Sequence, residues 1–146
     1  MGAPTLYVTR SVEFAAAHRL YRDDWSDAKN AEVFGACANP FGHGHNYRLE
    51  VTVIGQQDPS TGMVVHFSEL KRILQECVVA PLDHRHMNHD VVFMSGILPT
   101  SENLVVILWE RLSTALASQD FKLHALRLQS TDRNWVDYFG PEGVRR

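Results

Sequence analysis

Between residues 47 and 55 the chain alternates: Leu49, Val51 and Val53 fall on one side, Arg48, Glu50 and Thr52 on the other. A period of two predicts a half-buried strand, and the β-branched and aromatic content of residues 6–20 predicts another before it. After the turn Asp58-Pro59-Ser60-Thr61-Gly62, residues 63–67 read as a short extended piece. The period then changes. Ser68 is a good N-cap, Leu70, Ile73, Leu74, Cys77 and Val78 follow at helical spacing, and Pro81 is expected to end that helix. A second helix is expected from Thr100 or Ser101, with Leu104, Ile107, Leu108 and Leu112 on one stripe. Residues 123–129 and 135–139 bracket the turn Asp132-Arg133-Asn134 as a closing pair of strands. The polar segment 21–42, rich in Asp, Asn and Gly, is long for a hairpin connection, and such loops often carry function. The order β-β-α-α-β-β predicts an α+β domain, a four-stranded antiparallel sheet with two helices on one face. Such a sheet has two free edges, which predicts an oligomer.

At 146 residues and 45% hydrophobic content, with no linker or repeat, the chain reads as one domain, 1–146. Its net charge is −3 and its basic residues are scattered, which argues against a nucleic-acid partner. No apolar run approaches the roughly 18–20 residues of a membrane helix. Residues 1–8 lack a basic segment leading into an apolar one, and Cys37 and Cys77 are too few for a disulfide framework. A cytoplasmic protein is expected.

Eight histidines change the picture. In Gly42-His43-Gly44-His45-Asn46, an extended chain points His43 and His45 the same way, and Gly44 is expected to leave room for backbone near an ion. Alone, an H-x-H pair is more often polar loop chemistry than a metal site. His18, near the end of the first strand, is well placed as a third ligand. Three histidines and one open position is the pattern of a catalytic zinc, whereas a structural zinc takes four ligands. Cys37 precedes His43 by six residues and has two readings. A thiol beside a cation loses its proton easily and becomes a base or nucleophile; otherwise it is a small buried hydrophobe, the reading that suits Cys77. In the run Asp83-His84-Arg85-His86-Met87-Asn88-His89, Asp83 and His84 can pair, while His86 and His89 read as solvated loop residues.

Four segments together resemble the 6-pyruvoyltetrahydropterin synthase family. They are Phe14-Ala15-Ala16-Ala17-His18-Arg19-Leu20, Cys37-Ala38-Asn39-Pro40-Phe41-Gly42-His43-Gly44-His45-Asn46-Tyr47, Leu82-Asp83-His84, and Pro99-Thr100-Ser101-Glu102-Asn103. The resemblance implies a tunnelling (T-fold) domain that forms a barrel as a homo-hexamer, with active sites between subunits. It implies zinc on His18, His43 and His45, and Cys37 as catalytic base. Asp83 and His84 would be its proton relay, reaching in from a neighbouring subunit. The implied partner is a small pterin, and the implied reaction converts 7,8-dihydroneopterin triphosphate to the 6-pyruvoyl product of tetrahydrobiopterin synthesis, with loss of triphosphate.

A second branch of the family, the 6-carboxytetrahydropterin synthases of the queuosine pathway, usually places its cysteine four residues before the H-x-H; the spacing of six here favours the first branch. Two positions depart from the family pattern. Ser130 stands where a glutamate usually grips the pterin's amino-pyrimidine edge, and His66 where an aspartate often precedes Phe67. A serine cannot reproduce a bidentate carboxylate contact. Thr100, Ser101, Glu102 and Ser130 are therefore the expected substrate-binding residues, with Glu102 able to take part of the missing role. A divergent paralogue that cleaves the pterin side chain and a non-catalytic pterin-binding module are the alternatives.

Overall fold

The computed structural model describes residues 2–143; Met1 and residues 144–146 of the expected domain lie outside the described residues. In chain order the elements are β1 (Thr5–His18), α1 (Asp27–Phe34), β2 (His43–Gln56), α2 (Phe67–Leu74), α3 (Ala80–Leu82), β3 (Arg85–His86), α4 (Ser101–Ala115), β4 (Lys122–Thr131) and β5 (Asn134–Tyr138). Five strands form one sheet in the order β3-β1-β2-β4-β5, and β3 runs parallel to β1 while the other pairs are antiparallel. The expected four-stranded, wholly antiparallel sheet is thus corrected by one short strand. Two residues are too few to show a period. β3 exists because the chain leaving α3 lies along β1, where His84 N–H donates to Ala15 C=O at 2.6 Å and Met87 N–H to Ala17 C=O at 2.8 Å.

One face of the sheet holds the core. Phe14 and Ala16 from β1, Tyr47, Leu49, Val51 and Val53 from β2, and Leu126 and Leu128 from β4 are buried there. Leu70, Ile73 and Leu74 from α2 and Leu104, Leu108 and Leu112 from α4 join the same cluster. Each of the Leu, Ile, Val and Phe side chains among them contributes about 1.5–3 kcal/mol by leaving water. The opposite face is polar, with Thr9 and Thr52 sharing a hydroxyl bond at 2.7 Å and Arg127 held bidentately by Asp137.

Three local expectations are corrected. Segment 21–42 is not all loop. Ser26 caps α1 by accepting Lys29 N–H, and the buried Asn30 side chain donates to the carbonyls of Arg22 and Ser26 and accepts Arg22 N–H. Residues 63–66 form no strand, and α2 starts at Phe67 with His66 rather than Ser68 at its N-cap. An aspartate there would cap the helix; His66 makes no side-chain cap bond. Pro81 does not end the helical run. The chain passes from α2 through a wide turn, Gln75–Val79, into α3, which contains Pro81, and breaks only at the extended Asp83. A proline inside a helix clashes with the carbonyl four residues back. Here that carbonyl, of Cys77, turns aside to accept Arg111 Nε at 3.1 Å.

Candidate metal centre

The core face of the sheet continues beyond its apolar residues into three imidazoles. His18 is the last residue of β1 and His43 the first of β2, directly opposite it, while His45 faces Ala16 two positions along. Because side chains alternate, His43 and His45 stand on the same face as Tyr47 and Leu49. Gly44 points the other way, opposite Ala17, so its missing side chain opens the outer face and not the ligand side. His43 Nε2 lies 3.3 Å from His18 Nε2 and 3.1 Å from His45 Nε2, and the rings meet edge-on. A tetrahedral zinc with Zn–N bonds of about 2.0–2.1 Å holds its nitrogens roughly 3.3–3.4 Å apart, close to these two spacings, and the ligand atoms of all three histidines lie within 4.8 Å of one another.

The surroundings keep these rings ready to ligate. His18 is buried, and its Nδ1 lies 2.7 Å from Pro99 C=O, which assigns the proton to Nδ1 and leaves the Nε2 lone pair free. Burial lowers its pKa, opposed by the Pro99 bond and reinforced by His43 and His45. Burial and then His43 lower His45 likewise. Neutral imidazole is the form that binds metal. Gly42, at φ +70°, is required here: a Cβ would fall 2.4 Å from His18 C=O, so no other residue lets the chain turn this closely into His43.

Cys37 lies half-buried in a 3-10 turn, Gly35–Ala38. That turn hangs on the chain just past His18: Leu20 N–H donates to Cys37 C=O at 2.8 Å and Arg19 Nε to Ala38 C=O at 3.0 Å. Tyr47, fully buried, stacks on Phe14 and meets the His45 ring edge-on at 5.5 Å. Among the described residues its hydroxyl finds no hydrogen-bond partner, and burial, then the Cys37 charge, raise its pKa. The i, i+2 continuation from His43 and His45 marks Tyr47 in the sequence. The Pro99 carbonyl, being backbone, leaves no such mark.

Asp83 and His84 form a pair, His84 Nδ1 3.0 Å from Asp83 Oδ2, and Asp83 Oδ1 accepts Ala15 N–H at 2.8 Å. His84 sits at φ +60°, rare for a residue with a side chain, and is largely exposed. It lines an outer-face cavity of about 480 Å³ with Ala15, Ala17, Gly44 and Asn46. Among the described residues, none of the hydrogen bonds of this pair reaches Cys37.

A separate cavity of about 460 Å³ brings together Ser101, Glu102 and Ser130, with Arg133, Asn134 and Trp135. Ser130 is the extra residue of a bulge, since Gln129 pairs with Trp135 and Thr131 with Asn134. Bulges re-aim a side chain, and this one serves a cavity wall. Thr100 stands apart: its hydroxyl caps α4 by accepting Asn103 N–H.

Fold and cluster together define an α+β protein with a three-histidine cluster that could hold a metal ion. Residues 7–141 match the 6-pyruvoyl tetrahydropterin synthase family, and the chain belongs to it. The 6-pyruvoyl tetrahydrobiopterin synthase of Poecilia reticulata is 44% identical over 135 residues, 92% of this chain and 90% of the relative. That of Homo sapiens is 41% identical over 133 residues, 91% and 90% of the two chains. The solved structure of Caenorhabditis elegans 6-pyruvoyl tetrahydropterin synthase superposes with a TM-score of 0.88 at 35% identity, over 96% of this chain and 99% of that one. No helix among the described residues is long and apolar enough to cross a membrane.

Proposed function

We propose that this chain is a zinc-dependent carbon–oxygen lyase that converts 7,8-dihydroneopterin triphosphate to 6-pyruvoyl tetrahydropterin, releasing triphosphate, in the cytoplasm and as a homo-hexamer. One observation carries the reading: three imidazole Nε2 atoms converge at metal-ligand spacing in a chain 41–44% identical to relatives named for that activity. His18, His43 and His45 would hold the ion. Bound there, zinc supplies Lewis acidity that acidifies the substrate's side-chain hydroxyls and the C–H bonds beside them.

The remaining work falls to protein groups. Cys37 takes protons from the side-chain carbons, and the displaced electron pairs carry reduction into the ring as triphosphate leaves by elimination. The Asp83 carboxylate orients the His84 ring, which returns protons. Since His84 faces outward on its own chain, it serves the Cys37 of a neighbouring subunit. The cavity of Ser101, Glu102 and Ser130 receives the pterin ring. The test is incubation with dihydroneopterin triphosphate and mass spectrometry of the product. A 6-pyruvoyl product is expected, whereas a 6-carboxy or 6-hydroxymethyl product replaces this reading with another, and no product removes the enzyme.

A further inference from the structure

The rung that joins His18 to His43 is the last one of its ladder, and last rungs fray. Two devices from one loop, residues 84–90, lie across that end. The first is the Asn88 side chain. Its Oδ1 accepts Arg19 N–H at 2.8 Å and its Nδ2 donates to Arg19 C=O at 2.9 Å. One amide thus satisfies both backbone groups of the residue that follows His18, as a neighbouring strand would.

The second device is the His86 ring. Its Nδ1 accepts Asn88 N–H at 3.2 Å, which leaves the proton to Nε2, and the ring is hydrogen-bonded to the Phe41 backbone. Phe41 lies two residues before His43, and a Cβ on the intervening Gly42 would stand 3.1 Å from His86 Nε2. The loop itself is fixed. Met87 is buried and bonded to Ala17 C=O, and His86 N–H donates to Asp90 Oδ1 at 2.6 Å. His86, which reads from the sequence as a solvated loop residue, is therefore a tie between two chain segments.

We propose that Asn88 and His86 are positioning residues that buckle the open end of the β1–β2 ladder, Asn88 holding the chain just after His18 and His86 the chain just before His43, so that the three imidazoles stay in ligating geometry. The proposal rests on the reading of the triad as a metal site. A metal held by three imidazoles leaves when one of them swings away, so its escape rate reports the local opening that the buckle suppresses.

The experiment loads purified full-length protein with zinc and follows release into a colorimetric chelator at 25 °C, with thermal unfolding of each metal-free variant recorded beside it. Asn88→Ala and His86→Phe are expected to release zinc at least tenfold faster than wild type. His86→Gln keeps one donor and one acceptor and is expected to restore most of the retention. Asn88→Asp is the mildest variant, keeping the acceptor and losing the donor, and is expected to release faster than wild type. A merely structural loop contact predicts lower melting temperatures with unchanged release well below melting. Release within twofold of wild type in Asn88→Ala and His86→Phe overturns the proposal. If those two do not fold, wild-type release from Asn88→Asp overturns it. Wild-type protein that takes up no zinc sinks the metal reading itself, whereas a loaded wild type with indifferent variants sinks the buckle alone.

Discussion

His18 and His43 occupy facing positions on the final rung of the β1–β2 ladder, and their Nε2 atoms stand 3.3 Å apart. The ladder runs unbroken from Thr5 opposite Gln56 to this rung, so thirteen preceding residue pairs set the spacing of the two imidazoles. A slip of β2 by one residue would carry His43 and His45 to the other face of the sheet and leave His18 behind. The site is thus a consequence of register, and register is held by Leu49, Val51 and Val53, which are buried only on the present face.

Purified protein is expected to carry about one zinc per chain. His43→Ala removes the imidazole that approaches both of the others and is expected to strip most of the metal. Elemental analysis checks this; metal retained in single alanine variants of all three histidines would show that the ligands lie elsewhere.

Histidine spacing, the strand alternation and the helix of residues 101–115 were legible because each is a local pattern repeated over several positions. What escaped is non-local. β3 owes its existence to a chain passing beside β1, and a two-residue bridge carries no period. The helix through Pro81 survives because Arg111, thirty-four positions after Cys77 in the chain, takes the carbonyl that proline displaces. The role of Gly42 was invisible for the same reason, since its constraint comes from His18 C=O across the ladder.

Cys37→Ala is expected to lower turnover by at least a hundredfold, the scale of a lost general base, while zinc content and assembly stay as in wild type. Steady-state kinetics with metal analysis on the same sample decide it. Full activity would return Cys37 to the reading of a small packing residue.

Asp83 gives a pH signature. The Ala15 N–H, and after it His84, hold its carboxyl below the ordinary value of 3.8. A carboxyl with a depressed folded-state pKa binds fewer protons folded than unfolded, so its stabilising contribution is complete above pH 3.8 and fades as pH falls through the folded value. Asp83→Asn is therefore expected to melt lower than wild type near pH 6, with the gap closing below about pH 4. Thermal unfolding across that range checks it, and a gap independent of pH assigns the effect to lost geometry instead of lost charge.

Assembly is expected from the sheet edges. β3 pairs with β1 at Ala16 and Ala17, and Asp83 and His84 take up the Ala15 backbone, so among the described residues 5–14 have no strand partner on that side, and β5 is the other edge of the sheet. Long free edges pair with other chains. Sedimentation at micromolar concentration is expected to find a hexamer. A monomer alone would leave His84 without a neighbouring Cys37 to serve.

The cavity between α4 and the last hairpin holds the sharpest test of substrate. Ser130, aimed into it by a bulge, is short and neutral, and among its described lining residues Glu102 is the carboxylate. A 2-amino-4-oxo pterin presents two parallel N–H donors on its ring edge, which a carboxylate accepts together and a hydroxyl accepts one at a time. If Glu102 makes that contact, Glu102→Gln turns one acceptor oxygen into a donor facing a donor, and binding should weaken by about tenfold or more, for a loss of about 1.5–3 kcal/mol. Ser130→Glu brings a second carboxylate to the opposite wall and should tighten binding by roughly tenfold if about 1.4 kcal/mol is regained. The two carboxylates would then share one cavity, and repulsion between them sets an upper limit on that gain. The double variant separates the cases: Ser130→Glu in the Glu102→Gln background regains affinity only if the ring edge reaches the hairpin wall. Calorimetric titration of biopterin or sepiapterin into the three variants provides the numbers. Affinity unchanged in all three would mean that the ring is held outside this cavity, and the substrate reading would lose its binding site while the metal centre kept its ligands.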